Sequence, residues 1–272
     1  MALIDIKKDT CSKCGACTAV CPAGLFITGD KEFPRPVPMA DKFCIRCGHC
    51  VAVCPTQSVI HRECPVEQCP PIDKALKIDF KQGAQLIKSR RSIRAYHDKP
   101  VSREVITQLI DTARYAPTGG NSQGVQWLVF DDKEQMRRFS EIGLEWMRAA
   151  SKMNTPTAAK LSNMIKYHEA GRDGFLRGAP VLVLALGEKT NPAASNSCTI
   201  ALSYLDLAAS SMGLGCMWAG FFMFASNSFP SMIKELAIPE GLHSYGALTL
   251  GYPKYQYQRI PVRKPANIIW RP

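Results

Sequence analysis

Beyond residue 80 the apolar positions recur with helical or strand periodicity in one segment after another. Val105, Ile106, Leu109, Ile110 and Ala113 share one side of a 3.6-residue period, which predicts a helix. Ser102 supplies an N-cap hydroxyl, and Glu104 puts a negative charge in the first turn, where the helix dipole favours it. Pro117-Thr118-Gly119-Gly120-Asn121 ends that helix in a polar turn. Phe80–Ser89 reads as a short helix and Lys133–Ala150 as a longer amphipathic one. Val125–Asp131 has strand character, and Val181–Leu186 is apolar and β-branched enough for a buried strand. Ile200–Met212 reads as an apolar helix, with further strands at Met217–Phe224 and Ser244–Gly251. This mixture predicts an α+β fold. The most apolar stretch, Thr199–Ala225, is interrupted by Asp206, Gly213, Gly215 and Gly220. It therefore reads as buried helix, turn and strand, and no membrane span is expected.

The first 70 residues follow a different rule, set by cysteine. Cys11, Cys14, Cys17 and Cys21 precede Pro22, and Cys44, Cys47, Cys50 and Cys54 precede Pro55. Each run is a complete C-x2-C-x2-C-x3-C-P, the bacterial ferredoxin spacing for a [4Fe–4S] cluster. The fourth cysteine of each run ligates the other cluster in two-cluster ferredoxins. This assigns Cys11, Cys14, Cys17 and Cys54 to one cluster and Cys44, Cys47, Cys50 and Cys21 to the other. Zinc sites use wider separations between ligand pairs. A disulfide framework would imply secretion, yet Met1–Asp9 is charged throughout and lacks an apolar signal core. A reducing cytoplasm is the expected compartment. Cys64 and Cys69 flank the prolines of a linker, either as incidental thiols or as a metal or redox pair. Cys198 and Cys216 sit in apolar surroundings, as small buried hydrophobes do.

Cysteine density falls after Cys69, which divides the 272 residues into 1–75, a two-cluster ferredoxin-like domain, and 76–272, a larger domain. The net charge of +11 is uneven. Residues 1–80 hold ten Lys/Arg against nine Asp/Glu, so the basic surplus belongs to the second domain. No long Lys/Arg run or basic–aromatic stripe marks a nucleic-acid face. An anionic cofactor and an acidic electron donor account for the charge instead.

Arg90, Arg91, Ser92 and Arg94 cluster on one connector. Guanidiniums and a hydroxyl so close together suit a phosphate, although a solvated basic turn has the same composition. There is no G-x-G-x-x-G after a strand and no Walker A motif. Five segments in order carry more weight: RRSIRAY (90–96), ARYAPTGGNSQ (113–123), RGAPVLVL (177–184), GLGCMWAGF (213–221) and GYPKYQYQRIPVRKP (251–265). Together they resemble the nitroreductase family of FMN-dependent oxidoreductases over about residues 85–272, in its ferredoxin-fused branch.

That resemblance implies a central, mostly antiparallel sheet with helices, in an intertwined homodimer with FMN at the subunit interface. It places Arg90, Arg91 and Ser92 at the flavin phosphate and ribityl chain, and Arg94 near flavin N1 and O2. Pro117, Thr118, Asn121 and Gln123 fall in the polar loop beside the ring. Ala219 and Gly220 match the segment whose backbone N–H meets N5, and Arg263 matches a C-terminal phosphate ligand. Some relatives carry Glu where Ala219 stands, which leaves NAD(P)H use open. The region 141–175, with Trp146, Tyr167 and His168, is expected to cover the site. The implied activity passes electrons from two [4Fe–4S] clusters to FMN and on to a small nitroaromatic or conjugated acceptor. A one-electron carrier such as ferredoxin or flavodoxin would be the donor. Alternatives are ene reduction, reductive dehalogenation or substrate oxidation feeding ferredoxin. A non-enzymatic redox sensor or electron store is a further one.

Overall fold

The computed structural model describes residues 2–29, 32–153, 156 and 158–271. It separates into two compact units, Met1–Lys77 with Gly120–Ser122, and Ile78–Gly119 with Gln123–Pro272.

The first unit is small and nearly two-fold in design. Its elements are β1 (Ile4–Ile6), α1 (Ala16–Ala19), β2 (Phe26–Ile27), β3 (Arg35–Pro36), α2 (Ala40–Phe43), α3 (His49–Ala52) and β4 (Val59–His61). β1 pairs antiparallel with β4, and β2 with β3. The two cysteine runs repeat the same backbone path. Lys13 and Arg46 are left-handed at φ 58° and 55°, and Gly15 and Gly48 at 71° and 70°. Glycine carries no Cβ penalty there, and each of the two begins a one-turn helix, α1 or α3. The core of this unit is Leu3, Ile4, Ile6, Phe26, Val51 and Val59 with buried Cys17 and Cys50. A core this small buries little apolar surface for its length.

The second unit contains α4 (Phe80–Ser89), α5 (Arg103–Ala113), β5 (Gln126–Phe130), α6 (Lys133–Ala150) and α7 (Ala158–Glu169). These are followed by β6 (Val181–Glu188), α8 (Ala194–Ser211), β7 (Gly215–Trp218), α9 (Gly220–Ser228), α10 (Pro230–Leu236) and β8 (Leu242–Gly251). The sheet order is β5-β6-β8-β7, and every pairing is antiparallel. Strand alternation splits β6 between two cores. Val181, Val183 and Ala185 pack with Leu109 of α5 and Leu202 and Leu205 of α8. Leu182, Leu184 and Leu186 pack with Phe139 and Ile142 of α6 and Phe222 of α9. Both faces are covered, which is why the strand reads as an unbroken apolar run.

Ser102 caps α5 through its hydroxyl, which accepts from Val105 N, as its position predicted. Two expectations are corrected. The strand expected over Met217–Phe224 ends at Trp218, and Gly220 opens helix α9. The helix expected from Ile200 begins six residues earlier, at Ala194. Among the described residues no helix is long and apolar enough to cross a membrane.

Candidate functional site

In the first unit the eight motif cysteines gather in two groups, and each group mixes the two runs. Cys11, Cys14, Cys17 and Cys54 line one cavity, while Cys21, Cys44, Cys47 and Cys50 line another. Crossing of the fourth cysteine follows from the chain path: α1 and α3 each carry it away from its own loop. Backbone donors already point at sulfur. Leu25 N lies 3.4 Å from Cys21 Sγ and Ser58 N lies 3.2 Å from Cys54 Sγ, at equivalent places after each run. Arg46 N donates to Cys44 Sγ at 3.4 Å, and the buried His61 sets Nε2 3.5 Å from the same atom. Hydrogen bonds to the ligating sulfurs are among the factors that set a cluster's potential. Among the described residues no His, Cys, Asp or Glu side chains crowd closely enough to share one ion. Four thiols around each cavity, drawn from both runs, fit two clusters of the ferredoxin type. Cys64 and Cys69 lie 3.6 Å apart, sulfur to sulfur, outside both groups.

In the second unit the basic connector is firmly placed. Ile93 N donates to Cys216 O at 2.8 Å, tying the connector to β7. Buried Tyr96 donates to Ile93 O at 3.1 Å and sits 2.8 Å from Thr249 Oγ1 of β8, with burial pushing its phenol well above the usual range. Gly215 makes the close approach possible, because a Cβ there would stand 2.2 Å from Ile93 Cγ1. Arg90 pairs at 3.4 Å with Asp206 of α8. Burial raises the Asp206 carboxyl above its usual value, and the Arg90 charge and a bond from the Trp218 side chain oppose it. Asp206 is a residue the sequence marked only as an interruption in an apolar helix. Arg91 sets its guanidinium 5.7 Å from the Tyr257 ring, and its Nε is buried without a partner.

Arg94, Ala219 and Gly220 do come together, in a solvent-open cavity of about 620 Å³ walled by Met164, Phe175, Trp218, Phe221 and Phe224. Arg177 lines it too. The Ala219 N–H is spent on Ala247 O at 2.9 Å, so it is not free to meet a flavin. Gly220 has no neighbour within 4 Å of where a Cβ would stand, and as the first residue of α9 its N–H has no intrahelical acceptor. The room beside its Cα, in the wall of the cavity, suits the edge of a planar ring.

Other sequence-derived residues are not brought to this cavity. Thr118 and Gln123 line a separate one with Trp127, and Thr118 Oγ1 accepts from Gln123 N at 3.0 Å. Pro117 and Ser92 line neither cavity. Asn121 belongs to the first unit, where its side-chain amide donates to the Ile45 and Arg46 carbonyls. Arg263 lies exposed on the C-terminal segment. Trp146 and Phe175 are buried and 6.2 Å apart, so Trp146 is wall packing. A larger groove of about 1240 Å³, beside Pro100, Met136 and Leu176, contains none of the expected cofactor residues.

Comparison with known proteins identifies two family segments in the chain. The model of the nitroreductase family matches residues 87–252, and that of the 4Fe-4S dicluster domain matches residues 10–59. An FMN reductase (NAD(P)H) of Bacillus subtilis is 29% identical over 200 residues, covering 68% of this chain and 72% of that protein. An iodotyrosine deiodinase of Thermotoga neapolitana is 27% identical, covering 65% of this chain and 95% of that protein. The crystal structure of a nitroreductase with bound FMN from Desulfitobacterium hafniense superposes with a TM-score of 0.57. It is 23% identical and covers 71% of this chain and 99% of that one, a likeness of fold.

Proposed function

The chain belongs to the nitroreductase family, and we propose that it carries electrons singly from a reduced ferredoxin or flavodoxin to a small aromatic or conjugated acceptor. It is an FMN-dependent oxidoreductase with two [4Fe–4S] clusters. When bound, these groups supply one-electron steps at iron–sulfur and two-electron transfer at the flavin. The protein supplies position, charge and exclusion of water.

The observation that carries the donor reading is that one chain joins a two-cluster segment, 10–59, to the flavin-family segment, 87–252. A domain taking electrons only from NAD(P)H has no need of the first. We assign the phosphate to Arg90, Arg91 and Ser92, with Asp206 orienting Arg90. Arg94 places a cation beside the pyrimidine side of the ring, where it stabilises charge gained on reduction. Gly220 offers an N–H with no intrahelical acceptor. Arg263 and the loop at Pro117, Thr118, Asn121 and Gln123 are assigned to a site completed by a second subunit. The apolar exposure of Phe80, Ile87, Ile269 and Trp270 supports a homodimer, since monomers seldom leave so much uncovered.

Rapid mixing under anoxia tests the donor. Reduced ferredoxin should reduce the bound flavin faster than NADPH does, and the opposite order would overturn the assignment.

A further inference from the structure

We propose that Arg177 is an anion-recognition residue of the Arg94–Gly220 cavity and that the acceptor carries a carboxylate on its aromatic or conjugated ring. This rests on the reading of that cavity as the flavin and acceptor site.

Arg177 is held in a way few surface arginines are. Its backbone is left-handed, φ 67°, and Gly178 follows at 66°. A non-glycine residue there carries strain, which persists only where surrounding structure imposes it and is concentrated at functional sites. Asp173 does the imposing. Its carboxylate accepts from Phe175 N and Leu176 N at 2.8 and 3.1 Å, from Gly178 N at 2.9 Å and from the Ser140 hydroxyl at 2.9 Å. Phe175 is buried against Trp146 and Phe222, which fixes the turn to the core.

Among the described residues the side chain so presented meets no protein anion. Arg46, Arg90, Arg103, Arg114, Arg137 and Arg148 all lie within 4.0 Å of a carboxylate. Among the described residues no carboxylate reaches Arg177 or Arg94 at that distance. The Arg177 Nε is buried without a hydrogen-bond partner, and its guanidinium lies 5.6 Å from the Tyr167 ring. That Nε is closed off, whereas the terminal nitrogens, with no hydrogen bond to the described residues, are left for a ligand in the cavity that Arg177 lines. The cavity lining contains two arginines and no acid. If Arg94 serves the flavin, one fixed cation remains, of the kind that grips a carboxylate through paired bonds. Trp218 and Phe224, 39% and 64% exposed, offer aromatic faces for the rest of the ligand.

The test uses dimeric holoenzyme at saturating FMN under anoxia, with 4-nitrobenzoate and the neutral isostere 4-nitrobenzamide. A charge-assisted bond corresponds to a preference of about ten- to a hundredfold in kcat/KM for the carboxylate. In Arg177→Gln that ratio should collapse toward one, chiefly through KM, while Arg177→Lys keeps part of it. Absence of the preference, or its survival in Arg177→Gln, overturns the proposal. So does a fall in FMN affinity with the ratio intact, which would give Arg177 to the cofactor. If neither nitro compound turns over, the acceptor reading fails by itself, and benzoate titrated against the oxidised flavin spectrum decides for Arg177. A saturable perturbation abolished by Arg177→Gln supports the proposal, and no perturbation overturns it.

Discussion

Adding one methyl group at Gly215 tests whether the connector 90–94 holds the cofactor. A Cβ at this first residue of β7 would stand 2.2 Å from Ile93 Cγ1 and 3.1 Å from Pro253 Cγ. Carbon atoms pack at about 3.5 Å or more, so Ile93 must retreat by roughly 1.3 Å. It has little room, being 7% exposed and tied to Cys216 O through its backbone. Overpacking of this kind costs about 1–3 kcal/mol. Because Arg91, Ser92 and Arg94 neighbour Ile93, its displacement also moves their guanidiniums and hydroxyl. Losing one charge-assisted contact of about 1.5–3 kcal/mol corresponds to a ten- to hundredfold weaker hold on FMN. Gly215→Ala should therefore lower Tm and weaken FMN by that factor, measured by flavin fluorescence against apoprotein, with iron content unchanged. Adding Ile93→Ala removes the clashing Cγ1 and should recover FMN affinity while stability stays reduced. A Gly215→Ala protein of lowered Tm that still binds FMN as wild type does would refute the placement of the phosphate at this connector.

Replacing any one of Cys11, Cys14, Cys17 or Cys54 with Ser should cost about four of about eight iron atoms per chain, whereas Cys64→Ser should keep them all. Iron analysis and the visible spectrum decide, and loss of a cluster in Cys64→Ser would contradict the ligand sets. Asp206 has a folded-state pKa raised by burial, so the stability it contributes is present at acid pH. That contribution falls away from the unfolded value near 3.9 upward, as pH rises through the folded value. The Tm of wild type should therefore decline relative to Asp206→Asn across that window, and a pH-independent difference would remove the assigned cause. Truncation before Arg259 should convert a dimer, by light scattering, to monomer and release FMN. A truncated dimer that keeps its flavin would contradict the two-subunit site.

The grouping of the eight motif cysteines was legible because coordination chemistry dictates their spacing. Helix α5 was legible because Ser102 and the apolar stripe agree. The strand misread at Met217–Phe224 has a physical cause: Phe221, Phe222 and Phe224 favour strands. The helical period is carried instead by Ala219, Phe222, Ala225 and Ser226, three of them small. The start of α8 was hidden likewise, since its buried face opens with Ala194, Ser197 and Cys198 rather than large apolar residues. Asp206 and Arg177 were unreadable as a pairing partner and a strained donor, because both properties come from residues distant in sequence. The resemblance located the connector, and the fold supplied Gly215 as the reason it can sit there.

The most direct test of the central claim follows electrons through the intact protein. Anaerobic holoenzyme is mixed with photoreduced ferredoxin, and flavin absorbance is followed before and after a nitroaromatic is added. The account predicts that the flavin bleaches and then regains its colour as the acceptor is consumed. Clusters that reduce while the flavin stays oxidised, or a reduced flavin that no acceptor reoxidises, would contradict it.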